Sequence, residues 1–351
     1  MTATHPRPLA LRHGGATLVV YAFHVLDRNV RFFMRHGLVP DKKVDYMVVQ
    51  NMPEWAAERE ADVTSKWLGL SSVTWVKRPN VSQDIGAYSE AMRTAETGGY
   101  DYFVFVNSTM RGPFLPMYFT EHWTRAFTAK LTDVVALVGS SINHYNGQPH
   151  VQSMAMAMDQ RGLGVLRHAG VMLASNVSVR KPVLVKKHEI GGSKEIMARG
   201  YNLDCMLTAY RGMDWRKRPI IIHPYEPRQG DLWGHRNYFG RTLNPYETVF
   251  MKTNRDYDPS FSDLNLLSGW WEQMEVMDVK RDRRGYVPQM HAADEVLGND
   301  ARDDERSFGA VSRSRDLGFV WPLVCAVLSA TLITFIALWA TGKGGRAKAR
   351  G

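Results

Sequence analysis

GYDYFVFVNSTMRGPFLPMY, residues 99–118, joins an apolar run to a polar break and a proline-rich turn. Tyr102 to Val106 is an unbroken run of aromatic and β-branched residues, the composition of a strand covered on both faces. It breaks off into three small polar residues, Asn107, Ser108 and Thr109, and Gly112-Pro113 with Pro116 then turns the chain. Open α/β sheets bind their ligands at the carboxyl ends of buried strands, so these three side chains stand at a candidate active-site edge. The same residues also suit an ordinary Asn/Ser/Thr turn, and the stretch alone does not choose between the two.

The segments that flank this stretch alternate. Ala16 to His24 reads as a strand, and Asp27 to His36 as a helix stopped by Gly37. Val44 to Gln50 is a second strand, Glu54 to Leu68 a second helix, and Ser72 to Lys77 a third strand. RPNVSQDIGAYSEAMRTAE then passes through a polar elbow into a helix with Asp84 in its first turn. Val134 to Ser140 is a further strand. Beyond Ser141 the pattern loosens into a helix-like segment ending at Arg167, helix candidates at Lys194–Gly200 and Asn202–Tyr210, and loops over 216–260. Strands alternating with helices at this interval predict an α/β fold, a mostly parallel sheet built from right-handed crossovers and flanked by helices.

Composition narrows the field. The 351 residues carry a net charge of +9, but Lys and Arg are interspersed with acids and form no arm for nucleic acid. With two cysteines, Cys205 and Cys325, no disulfide framework or CxxC metal site exists. Leu317 to Thr341 is uncharged and long enough to cross a bilayer, with Trp321 and Trp339 near its ends, and predicts a single C-terminal transmembrane helix. The expected layout is a loose arm over 1–15, one globular domain over 16–260, a helical and charged stalk over 261–316, the span 317–341 and a basic tail 342–351. Asp263 to Val279 suits an amphipathic helix within that stalk. The basic residues flanking the span nearly balance, leaving its orientation open on an endomembrane such as the ER or Golgi.

The usual nucleotide and hydrolase signatures are missing. There is no GxGxxG after the first strand, no GxxxxGK[ST], no GxSxG and no HExxH. What remains is a series of polar clusters at predicted strand ends: Arg78, Asn80 and Asp84; Asn107, Ser108 and Thr109; His144 and His150. Taken singly, each suits a turn or a cap. Gathered on one rim of a parallel sheet, an acid near a ribose or base and amides and hydroxyls near a diphosphate make a nucleotide-sugar site.

Five blocks carry a resemblance: RPNVSQDIGAY, FVNSTMRGPFLP, HVQSMAMAMDQRGLGVL, HEIGGSKEIMARGYNLDCML and NPYETVFMKTNR. Together they resemble a glycosyltransferase-like group similar to the rhamnan-synthesis F proteins and, more distantly, to GT-A nucleotide-sugar transferases. The resemblance spans about residues 16–255. It implies a GT-A-like fold, a hexosyl or deoxyhexosyl donor carried on a nucleotide, and a glycan, lipid or protein hydroxyl as acceptor. It also implies a carboxylate base in the later blocks, at Asp159 or Glu189, with Asp204 and Asp214 as weaker candidates. His188 and Gly191-Gly192 around Glu189 suggest an irregular, close-packed loop. One departure stands out: GT-A enzymes commonly hold Mn²⁺ or Mg²⁺ with Asp-x-Asp at the fourth strand's end, where this chain has Asn107-Ser108-Thr109. Either other carboxylates hold a metal, or Arg and Lys neutralise the diphosphate, with Arg111 the nearest candidate. The same departure suits a different class of protein, a catalytically inactive GT-A-like module that binds a glycan or scaffolds a partner.

Overall fold

The computed structural model describes residues 15–52, 72–172, 178–217, 231–254 and 264–272. The first half is a run of β-α-β units: strand β1 Thr17–Phe23, helix α1 Arg28–His36, strand β2 Val44–Met52, strand β3 Val73–Pro79, helix α2 Gln83–Thr94 and strand β4 Tyr102–Asn107. Helix α1 starts where Asp27 accepts a hydrogen bond from the Val30 amide at 2.9 Å. Its apolar stripe, Val30, Phe33 and Met34, packs on the sheet, with Phe33 stacked flat on Tyr21 at 3.9 Å. Burying a ring of this kind contributes about 1.5–3 kcal/mol.

The second half adds strand β5 Met110–Arg111, β6 Val135–Gly139, the hairpin β7 Ile142–Tyr145 and β8 Gln148–Val151, β9 Ala155–Asp159, helix α3 Gln160–His168, a helical run 181–198, β10 Asn202–Cys205 and β11 Met251–Lys252. Seven strands form one sheet in the order β10-β6-β9-β4-β1-β2-β3. Six run in one direction, and β9 alone opposes its neighbours β4 and β6. The expected mostly parallel α/β architecture is therefore present, in a form consistent with a GT-A-like fold. From β1 the chain steps outward to β2 and β3, then returns to lay β4 on the other side of β1. That reversal leaves a crevice at the carboxyl ends of β1 and β4.

Two expectations are corrected. Asn202–Tyr210 is not a helix: Asn202–Cys205 is an edge strand beside β6, with Leu203 and Cys205 buried and Asp204 between them reaching Lys130. This two-residue alternation is the strand period, and only Thr208–Tyr210 forms a short helical turn. The helix-like segment before Arg167 begins as a strand. Ala155 to Met158 are fully enclosed in the sheet, and α3 starts only after its cap, Asp159.

Residues 264–272 are helical, matching part of the amphipathic helix expected at 263–279. The helix expected at Glu54–Leu68, most of the N-terminal arm, the charged stalk, the span 317–341 and the basic tail lie outside the described residues. Among the described residues no helix is long and apolar enough to cross a membrane.

Candidate functional site

A cleft of about 580 Å³ opens at the β1/β4 reversal. Its floor is the strand ends: Phe23 and His24 after β1, Asn51 in β2, Asn80 after β3, and Asn107, Ser108 and Thr109 at the end of β4. Because β9 runs backwards, its beginning lies on this same rim and brings Gln152, Ser153 and Met154 into the wall. The hairpin β7–β8 contributes His144, Tyr145 and His150, and the helical run 181–198 contributes Glu189.

The elbow before α2 is tightly built. Ser82 and Gln83 both take left-handed backbone conformations, at φ 59° and 52°, uncommon for residues with a side chain. Arg78 braces the elbow from behind, donating to Asn51 Oδ1 at 2.7 Å and to the Val81 carbonyl at 3.0 Å. Gly86 must be glycine here, since a Cβ would lie 2.1 Å from the Val81 carbonyl oxygen. Arg78 is thus a brace for the strand ends, and Asn80 and Asp84 are the members of that cluster that face the cleft.

Four side chains form a continuous polar line across the cleft. Asn107 donates to Asp84 Oδ2 at 2.8 Å, while its own Oδ1 accepts from the Thr109 amide and hydroxyl at 3.0 and 2.6 Å. The Ser153 hydroxyl lies 3.3 Å from that same Asp84 oxygen and 2.7 Å from Glu189 Oε2, which also accepts from the Ser153 amide at 2.9 Å. Glu189 Oε1 looks toward His150 Nε2 at 3.8 Å. Burial pushes the His150 imidazole below its ordinary pKa, overcoming the opposing pull of Glu189, so the ring faces the carboxylate as the neutral form at pH 7.

Glu189 does not sit in the expected loop. It lies in a π-helical turn, Leu184–Ile190, that runs directly into helix α4, Gly191–Ala198. Wide turns of this type recur at functional sites. His188 points inward and shares its Nδ1 proton with the Val171 carbonyl at 2.6 Å, leaving the next residue, Glu189, to face the cleft. Ser193 accepts from the Val151 amide at 3.0 Å and so fixes this helix against β8.

Besides Arg78, two more expected site residues lie away from the cleft. Asp159 is the last residue of the reversed strand β9 and pairs in register with Tyr102, at the opposite edge of the sheet. There it caps α3 through the Arg161 and Gly162 amides and holds the Arg161 guanidinium. Arg111 is 1% exposed and reaches Asn29 Oδ1 at 2.9 Å, Asn265 Oδ1 and Ser268 Oγ, fastening residues 264–272 to the core. Of the weaker candidates, Asp204 pairs with Lys130 and Asp214 with Arg216, both away from the cleft.

Sequence reading missed Gln152, Ser153, Asp231 and Lys252, all of which line the cleft. Trp233 anchors this side, donating to Gln152 Oε1 at 2.8 Å and Ser141 Oγ at 3.1 Å. Ser153 and Lys252 fall inside the HVQSM and VFMKTNR blocks, and that was their one signal. The end of β4 does not fit a divalent cation: its side chains are neutral, and the Asn107 carbonyl oxygen already holds two donors. Among the described residues no three His, Cys, Asp or Glu side chains converge to hold a metal.

No family model and no curated protein matches the chain. Similar solved structures include a mannosyltransferase, PcManGT, from Pyrobaculum calidifontis in complex with GDP-Man and Mn²⁺, with 13% identity over 57% of this chain and 58% of that one, TM-score 0.37. Glycosyltransferase GlyE from Streptococcus pneumoniae gives 10% identity over 57% and 47%, TM-score 0.32. Mouse xyloside xylosyltransferase 1 gives 11% identity over 68% and 97%, TM-score 0.34. The chain spans about half the length of the first two. Likeness this shallow says nothing about activity.

Proposed function

We propose that the chain is a nucleotide-sugar-dependent glycosyltransferase, related to the rhamnan-synthesis F group and held at a membrane by residues 317–341. The observation that supports this reading is the polar line Asn107, Asp84, Ser153, Glu189 across a cleft at the topological reversal of the sheet. Asn80 and Asp84, in the elbow after β3, contact the nucleoside. Asn107, Ser108 and Thr109 lie toward the diphosphate.

Glu189 is the general base of an inverting transfer. Its Oε2 is fixed by the two Ser153 donors, leaving Oε1 to take the proton of the acceptor hydroxyl. The acceptor oxygen then bonds to the anomeric carbon. The bond from that carbon to phosphate breaks, and the nucleoside diphosphate leaves with the electron pair. His150, buried and neutral, lies beside the carboxylate without capturing it in a full ion pair. Tethering to a membrane raises the local concentration of an acceptor held on the same surface.

A second reading, a non-catalytic glycan-binding or scaffolding module, draws on the internal saturation of Asn107 and the engagement of Glu189 by Ser153. The two separate in a thermal-shift screen of the full chain against UDP-, GDP- and dTDP-sugars, followed by detection of released nucleoside diphosphate. Binding one donor class, with the shift abolished by Asp84→Ala, is the result expected of a transferase. A folded chain that no donor stabilises favours the second reading.

A further inference from the structure

The charge that a sugar-nucleotide diphosphate brings into the cleft needs a counter-charge near the end of β4, where Asn107, Ser108 and Thr109 are neutral and the adjacent Asp84 is itself acidic. Arg111, the nearest cation in sequence, faces away. Strand geometry explains why. Strands β5 and β11 form a two-stranded antiparallel ribbon in which Arg111 pairs with Met251 and Met110 with Lys252. Side chains alternate across such a ribbon, so Lys252 emerges on the side opposite to Arg111. Thr253 ties β11 to the strand end, its amide donating to the Thr109 carbonyl at 2.9 Å. Lys252 thus lines the cleft beside Asn107-Ser108-Thr109, and Arg111 does not.

We propose that Lys252 is the phosphate-binding cation of the cleft, placing its ammonium on the diphosphate of the bound donor at the point where GT-A enzymes commonly place a metal. This rests on the transferase reading above and deepens it. Among the described residues, the Lys and Arg side chains lining the cleft are Lys181, exposed at the rim, and Lys252, which is 7% exposed. An ammonium that deep stays charged only with a partner, and Asp231 provides one at 3.4 Å. A full charge-assisted hydrogen bond is shorter, about 2.7–2.9 Å, and an ammonium has three protons to give. The contact with Asp231 sets the direction of the Lys252 side chain. Asp231 is itself held by Gln152 and by the turn into Trp233 and Gly234, so the lysine's position is fixed before any ligand arrives. A preset cation costs little reorganisation when the phosphate binds.

The test is calorimetric titration of the full chain in EDTA, using inorganic pyrophosphate, the nucleoside diphosphates UDP, GDP and dTDP, and the matching nucleosides. Lys252→Met is expected to abolish pyrophosphate binding and to weaken the preferred nucleoside diphosphate at least about tenfold, the loss for a hydrogen bond to a charged group, with the nucleoside unchanged. Lys252→Arg is expected to restore part of it. Should Lys252→Met fail to fold, Lys252→Gln decides: it keeps the stem and a polar head but removes the charge, loss of pyrophosphate binding is expected, and unchanged binding overturns the proposal. Equal nucleoside diphosphate affinity in wild type and Lys252→Met, or binding that appears only with Mn²⁺ added, also overturns it while leaving the transferase reading in place. Pyrophosphate bound through Lys252 with no nucleotide bound keeps the anion site and removes the transferase reading. Binding of none of these probes removes both.

Discussion

Glu189 and Asp159 are both carboxylates from blocks of similar standing in the sequence, yet they end on opposite edges of one sheet. Glu189 faces the cleft with one oxygen held by Ser153 and the other 3.8 Å from a neutral imidazole. Asp159 spends both oxygens on the first amides of α3 and on Arg161. The single reversed strand makes the difference. In a fully parallel sheet the end of β9 would have joined the other strand ends on the cleft rim. Because β9 runs antiparallel to β4, its beginning reaches the cleft and its end does not. A carboxylate that faces the cleft differs from one that caps a helix in how much of its hydrogen-bonding capacity the fold has already used.

Removing each charge with little change of shape separates the two carboxylates. Glu189→Gln is expected to lower the rate of sugar transfer by roughly 10²–10⁴-fold, the usual contribution of a general base, with donor affinity retained. Asp159→Asn, assayed alongside, is expected to leave that rate within about twofold. Equal losses in the two variants would mean that the two carboxylates do not differ in role. Arg111→Met comes next in size. Two buried side-chain acceptors, on Asn29 and Ser268, and a half-buried one on Asn265 lose a charged donor, and the expected cost is about 3 kcal/mol of unfolding free energy in urea. If Arg111 instead held phosphate, its removal would weaken donor binding and leave the urea midpoint in place. A smaller effect is expected at the capping carboxylate: Asp159→Ala removes an N-cap, at about 1 kcal/mol or 2–4 °C in Tm.

How much of this was legible in the sequence follows the same division. The β-α-β half was readable because each element there is local: the run Tyr102 to Val106 declares a buried strand, and Asp27 and Gly37 bracket α1. Asn80, Asp84 and Asn107 to Thr109 were readable with it, since a parallel strand's end fixes where the next residues go. The second half was not. Ala155 to Met158 is apolar without interruption, a pattern that suits a buried helix as well as a strand, and nothing local states that the strand runs backwards. Ser153 and Lys252 owe their places to that reversal and to a two-residue ribbon formed across more than 130 residues of chain. Glu189 was singled out from its neighbours His188 and Gly191-Gly192, but through an irregular loop rather than the π-turn that presents it. Arg111 is the cation nearest to the strand end in sequence, but sequence distance does not report which side of a ribbon a residue faces.

The finest distinction lies in the histidines. His150, beside Glu189, and His36, remote from it, are both pushed below the ordinary value of 6.5 chiefly by burial, His36 to about 4 with a contribution from Arg35. A histidine whose folded pKa is depressed binds fewer protons folded than unfolded over the interval between the two values. Its contribution to stability is therefore complete above pH 6.5 and is lost as the pH falls, through about pH 4 for His36. Unfolding midpoints measured from pH 7 to pH 4 are expected to decline steadily, and a flat profile would contradict the buried, neutral state of these rings. NMR titration then separates the two carboxylates. Glu189 raises the His150 pKa against the burial that lowers it, so Glu189→Gln is expected to depress that pKa further. His36 is expected to stay where it is, and Asp159→Asn to move neither. A His150 titration curve that does not respond to Glu189→Gln would mean that the carboxylate's field is screened at 3.8 Å, in a cleft wetter than the Ser153 contacts imply.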